Sequence, residues 1–191
     1  MSQFEFFARL GFSHITDFDG FDHMLFLLAL CAVYQFVDWR RWFWAITFFA
    51  IGHSATLLIS GMGWISVNAD WIEFLIPVTI LVTAIGNLLK PGKKEVGWRK
   101  PILAGIFGLI HGFGFSNFFK MAIEDADSPF LSVLYFTAGI ELGQLAIVAI
   151  IFLTGWSLTT GLKVKQRDWV LVVSGAVLGL SLLMLTEAWP L

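Results

Sequence analysis

Six stretches of the chain, at roughly 22–37, 42–60, 72–90, 101–119, 130–154 and 169–187, are nearly unbroken apolar runs separated by short polar loops. Crossing a bilayer as an α-helix takes roughly 20 residues, with a lower limit near 17. Hydrocarbon leaves no exposed backbone group unpaired, so each run predicts a transmembrane helix. The first run is marginal in length. Ahead of it, residues 2–13 set Phe4, Phe6, Phe7, Leu10 and Phe12 against Glu5 and Arg9, a segment too short and too polar to span. The pattern predicts an all-α integral membrane protein: a bundle of about six transmembrane helices plus a short N-terminal interfacial or re-entrant helix, in a single transmembrane domain over residues 1–191.

Composition sharpens this picture. Hydrophobic residues make up 58% of the chain and charged residues 14%, against about 25% charged in soluble domains. The lipid bilayer is the expected partner and nucleic acid is not; a homo-oligomer is admitted. The start, MSQFEFFARLGFSH, lacks the basic, apolar, small-residue order of a secretory signal. Cys31 is the only cysteine, which excludes an internal disulfide and a thiolate site.

Charge sets the orientation. Ten of the twelve basic residues fall in three alternate loops: Arg40 and Arg41; Lys90, Lys93, Lys94, Arg99 and Lys100; Lys163, Lys165 and Arg167. The other side carries Arg9 and Lys120 against Asp70, Glu124, Asp125 and Asp127. The positive-inside rule then predicts a multi-pass protein of the bacterial inner membrane with both termini on the outer, periplasmic side. Tryptophan agrees, since none of the nine falls at a predicted helix centre.

Within that frame the polar residues fall into layers. The segment GFSHITDFDGFDHMLFLLAL (11–30) carries His14, Asp17, Asp19, Asp22 and His23 just before and at the start of the first apolar run. His53 and His111 each lie seven or eight residues from the outer ends of the second and fourth runs, roughly 10 Å down, and Glu141 lies about 16 Å down in the fifth. Ionisable groups within a membrane are costly and mark candidate functional sites. Glycines in small-xxx-small spacing, Gly105, Gly108 and Gly112, Gly139 and Gly143, Gly175 and Gly179, let helices approach closely.

His14, Asp22, His23, His53, His111 and Glu141 form a nitrogen and oxygen donor set without sulfur. Such a set suits a divalent first-row ion: nickel, zinc, cobalt or iron. Asp22 is placed either to ligate or to hold a histidine ring, and Asp19, Asn117 and Gln144 are candidate supporting groups. A single buried histidine usually just bonds a backbone carbonyl; Asp17 and Asp19 also suit a turn or a cap. A second track, Thr79, Thr83 and Asn87, recurs every four residues on one face of the third run, below Pro77, and is a candidate inner pathway. Threonines in such helices also bond back to their own carbonyls.

The segment 11–30, with IGHSATLLIS (51–60), FGLIHGFGFSN (107–117) and IELGQ (140–144), resembles the HupE/UreJ family of membrane proteins, in its second, shorter type. That family is linked to hydrogenase and urease maturation and regarded as nickel permeases. The resemblance implies that His14, Asp22, His23 and His111 take the places of its metal-related residues. Two features depart from it: seven residues rather than five separate His14 from Asp22-His23, and Gly114 stands where better-studied members carry a glutamate.

Two functions fit these expectations. One is binding and transport of a divalent, nickel-like ion through a His/Asp/Glu site in the outer half, with no enzymatic step. The other is an intramembrane zinc-dependent hydrolase or other metalloenzyme built on the same site, with Glu141 as general base. A helix-stapling polar cluster in an accessory subunit is the third and blandest.

Overall fold

The computed structural model describes residues 2–18, 20–92, 97–124 and 126–189. Asp19, Lys93, Lys94 and Asp125 lie outside the described residues. Seven α-helices are present among the described residues: α1 (Gln3–Thr16), α2 (Asp22–Ala32), α3 (Trp39–Gly61), α4 (Ala69–Leu89), α5 (Arg99–Ala122), α6 (Pro129–Trp156) and α7 (Gln166–Glu187). All but the first two are long and apolar enough to cross a membrane.

Helix starts follow local chemistry. Ser2 caps α1 by accepting from the Glu5 amide at 3.2 Å, and Asn68 caps α4 from Asp70 at 2.8 Å. Ser128, followed by Pro129, opens α6. The bundle has an acidic end, where α4 and α6 begin and α3, α5 and α7 finish, and a basic end opposite.

The first apolar run differs from the expectation of a span over 22–37. Its helix stops at Ala32, and residues 36–38 form a separate 3₁₀ turn. The reason is long-range. Asn87 Nδ2 donates to the Ala29 carbonyl at 2.8 Å, and Gln166 Nε2 donates to the Ala32 carbonyl at 3.0 Å. Side chains from α4 and α7 thus satisfy the last carbonyls of α2, and the helix ends without a further turn.

α1 also differs from a surface helix. It runs beside α6 in the same direction, with Ala8 backing on Gly139, Gly11 on Phe136 and Ile15 on Gly143. α3 and α5 are likewise parallel and close: Gly52 sits on Gly105, Gly108 on Phe49, and Gly112 on His53. A hydrogen bond from Thr56 Oγ1 to the Leu109 carbonyl, 2.9 Å, fixes their register. Gly175 and Gly179, in contrast, meet open space. α2 lies centrally against α4, α6 and α7, and Phe26, Phe49, Phe119 and Phe136 are the largest fully buried side chains.

Candidate metal centre

Four helices each bring one histidine to the same layer. His14 is in the last turn of α1 and His23 in the first turn of α2, so the end of one short helix and the start of the other bring their histidines together. The His14 and His23 rings are 4.7 Å apart between centroids, His14 and His53 5.4 Å, His23 and His53 5.5 Å, and His23 and His111 5.3 Å. His23 is the hub. His53 is fully buried, and His23 and His111 nearly so.

Hydrogen bonds fix which nitrogen two of the rings offer. His23 Nδ1 lies 3.0 Å from Asp22 Oδ1, and His111 Nδ1 lies 2.8 Å from the Phe107 carbonyl. An oxygen acceptor at Nδ1 assigns the proton there and leaves the lone pair on Nε2. The Nε2 atoms of His14, His23 and His111, and both ring nitrogens of His53, are buried without a protein partner. An unsatisfied buried polar atom costs about 1–3 kcal/mol, so four neighbouring imidazoles with idle buried nitrogens call for an occupant.

The donor set fits a cation. One ring nitrogen from each of His14, His23 and His53 lies within 4.8 Å of the other two. Three points no farther apart than 4.8 Å lie within about 2.8 Å of a common centre, so a shift of about 0.7 Å each reaches the roughly 2.1 Å of a metal–imidazole bond. Asp22 stands beside His23 as the carboxylate that orients a ligating ring. Its position in the first turn of α2 also suits a negative charge.

An aromatic shell surrounds the imidazoles. Phe115 packs on His14 at 4.0 Å between centroids, Phe136 lies parallel to His53, and Phe26 and Phe49 flank His111. These phenylalanines exclude water and keep the local dielectric low. Sequence reasoning missed them, although Phe49, Phe107 and Phe115 stand four residues from His53 or His111 and so share their helix faces. Glu73 and Glu187 were missed as well. With Asp22 they line a cavity of about 330 Å³ at the acidic end, bounded by Phe21, Pro77 and Met184.

Other candidates sit elsewhere. Glu141 is not with the imidazoles. A hydrogen bond from Thr137 to Ser54, 2.6 Å between hydroxyls, sets the register of α6 against α3, and Glu141 then neighbours Thr47. That is six residues, about 9 Å, from His53 toward the basic end. Gln144 is fully buried in α6 with neither amide atom partnered. Asn117 is exposed, on the outside of α5. Thr79 and Thr83 donate to the Ile76 and Thr79 carbonyls of their own helix. Asn87 is a clamp: besides Ala29 it bonds Ser174 at 3.3 Å and accepts from Lys100 at 2.7 Å.

A helical bundle with membrane-crossing segments, glycine-faced helix contacts and a buried imidazole cluster defines a polytopic membrane protein with a cation-competent core. The family model described as HupE / UreJ protein matches residues 1–188, and the chain belongs to that family. Comparison with curated proteins and with solved structures gives no match.

Proposed function

We propose that this protein binds a divalent transition-metal ion, nickel-like in its ligand preference, among His14, His23, His53 and His111 and carries it across the bacterial inner membrane. The observation that carries this reading is the set of idle, buried ring nitrogens contributed by four separate helices around His23. Nickel, cobalt, zinc and iron(II) all suit such donors; the association of the HupE/UreJ family with nickel and cobalt handling favours the first two.

In this reading α1 and α2 together make the sixth crossing, as one broken span. At 14 and 11 residues they rise about 21 Å and 17 Å, and their junction falls at the imidazole layer. Broken helices with binding groups at the break are a recurrent transporter device. The acidic end faces outward with both termini. The cavity between Asp22, Glu73 and Glu187 concentrates cations there, and Asp22 hands the ion to His23. Toward the basic end the next polar groups are Thr47, Glu141 and Gln144, which would receive an ion or proton leaving the imidazoles. Protonation of the rings competes with the ion and gives release.

One observation favours a second reading, a metal-dependent hydrolase. Three clustered imidazoles leave a fourth position for water, and Phe26 and Phe49 separate them from the basic end. Elemental analysis of purified protein tests the shared premise: about one metal per chain in the wild type, lost in His23→Ala and His53→Ala. Metal uptake into proteoliposomes then separates the readings, since only a carrier moves ions. Wild-type protein without bound metal and without uptake overturns both.

A further inference from the structure

At the basic end a second cavity, about 290 Å³, opens between α4 and α5 with Phe26 and Leu30 of α2 as its back wall. Its sides are apolar. Val82 and Leu89 from α4 and Leu103 from α5 form a rim that is 50%, 75% and 46% exposed. Its lining includes Lys90, Arg99 and Lys100, and no acidic residue lines it among the described residues.

The charge arrangement there runs against helix electrostatics. Cations are unfavourable at a helix N-terminus, where the macrodipole is already positive. Yet Arg99 and Lys100 form the first turn of α5, and Trp98 supplies no side-chain cap. Lys100 is held in place by its 2.7 Å hydrogen bond to Asn87, the clamp that also joins α4 to α2 and α7. Three cations and a positive helix pole around one opening form a site for an anion.

We infer that this cavity binds an anionic phospholipid of the adjoining leaflet, its phosphate held by Lys90, Arg99 and Lys100 and an acyl chain laid along Val82, Leu89 and Leu103. Basic pockets between membrane helices recognise anionic headgroups in this way. The apolar rim decides between lipid and free phosphate, because a free anion gains nothing from exposed leucine and valine. The cavity's inner wall includes Phe107, whose carbonyl holds His111, and Phe26, which packs on the His111 ring. A lipid there touches the back of the imidazole layer, but the inference does not depend on any metal binding.

The test is native mass spectrometry of the full chain in non-ionic detergent with added phosphatidylglycerol, phosphatidylcholine or inorganic phosphate. Phosphatidylglycerol should bind in preference to phosphatidylcholine. Lys90→Gln and Arg99→Gln should each weaken it roughly fivefold, since a juxtamembrane cation contributes about that much to anionic-lipid binding. Leu103→Trp, which fills the cavity and keeps every charge, should also weaken it, and thermal unfolding confirms that each variant folds. Equal binding of the two lipids, displacement of phosphatidylglycerol by millimolar phosphate, or retention of full affinity by the folded variants would overturn the assignment.

Discussion

Replacing Gly108 with alanine probes how the α3–α5 contact holds the imidazole layer. A methyl group there would overlap the Phe49 carbonyl oxygen and stand 3.0 Å from its carbon and 3.1 Å from the His53 amide nitrogen. Ordinary contacts between such atoms lie near 3.5–4 Å. All three are backbone atoms within the α3 helix, so no side chain can swing away. The helices must part, by roughly 1 Å. Overpacking of this kind costs about 1–3 kcal/mol, and a chain of this size loses about 2–4 °C of Tm per kcal/mol. Thermal unfolding of detergent-solubilised Gly108→Ala should therefore fall about 2–12 °C below wild type. Binding sites tolerate displacements of about 0.5 Å, so metal content should fall as well, because His53 moves with α3. Gly175→Ala is the control: nothing lies within 4 Å of the added methyl, and alanine in a helix gains up to about 1 kcal/mol over glycine. If Gly108→Ala unfolds within a degree of wild type, the close approach of α3 and α5 does not support the site.

Three further outcomes follow from named contacts. Asp22→Asn keeps a polar side chain beside His23 but removes the charge that orients it; metal affinity by competition titration should drop about 10–100-fold, with little change in Tm. Asn87→Ala leaves the Ala29 carbonyl without its donor and breaks the bonds to Ser174 and Lys100; thermal unfolding should report a loss of at least about 1–3 kcal/mol. Glu73→Gln with Glu187→Gln should slow uptake at low salt while bound metal stays the same, and the difference should shrink as ionic strength rises; equal rates at all salt concentrations would remove the acidic cavity from the entry route.

Much of the architecture is readable in the chain because hydropathy and helix rise are local. The five long helices lie within a few residues of the apolar runs, and counting at about 1.5 Å per residue brings His53 and His111 to one depth before any contact is known. What escapes is set by distant partners. α2 stops at Ala32 because its carbonyls meet side chains 58 and 134 residues away, so an apolar run that continues through Val33 and Tyr34 misleads. Glu141 counts to nearly the right depth, but the register that Thr137 and Ser54 impose sets it beside Thr47, about 9 Å beyond His53 toward the basic end. The glycine pairs read alike in sequence, yet Gly108, Gly112 and Gly139 press on backbone while Gly175 and Gly179 do not. Spacing says which residues share a face, not which faces meet.

The four imidazoles belong to four different helices, and that has a mechanical consequence. An ion gripped by His14, His23, His53 and His111 would act as a rivet through α1, α2, α3 and α5, and the stiffness of half the molecule would vary with its occupancy. Ligand that binds only the folded state raises stability by RT ln(1 + [L]/Kd), so the filled protein should resist heat and proteolysis at the junction between α1 and α2. Emptying it would release that junction, which joins the two shortest α-helices among the described residues.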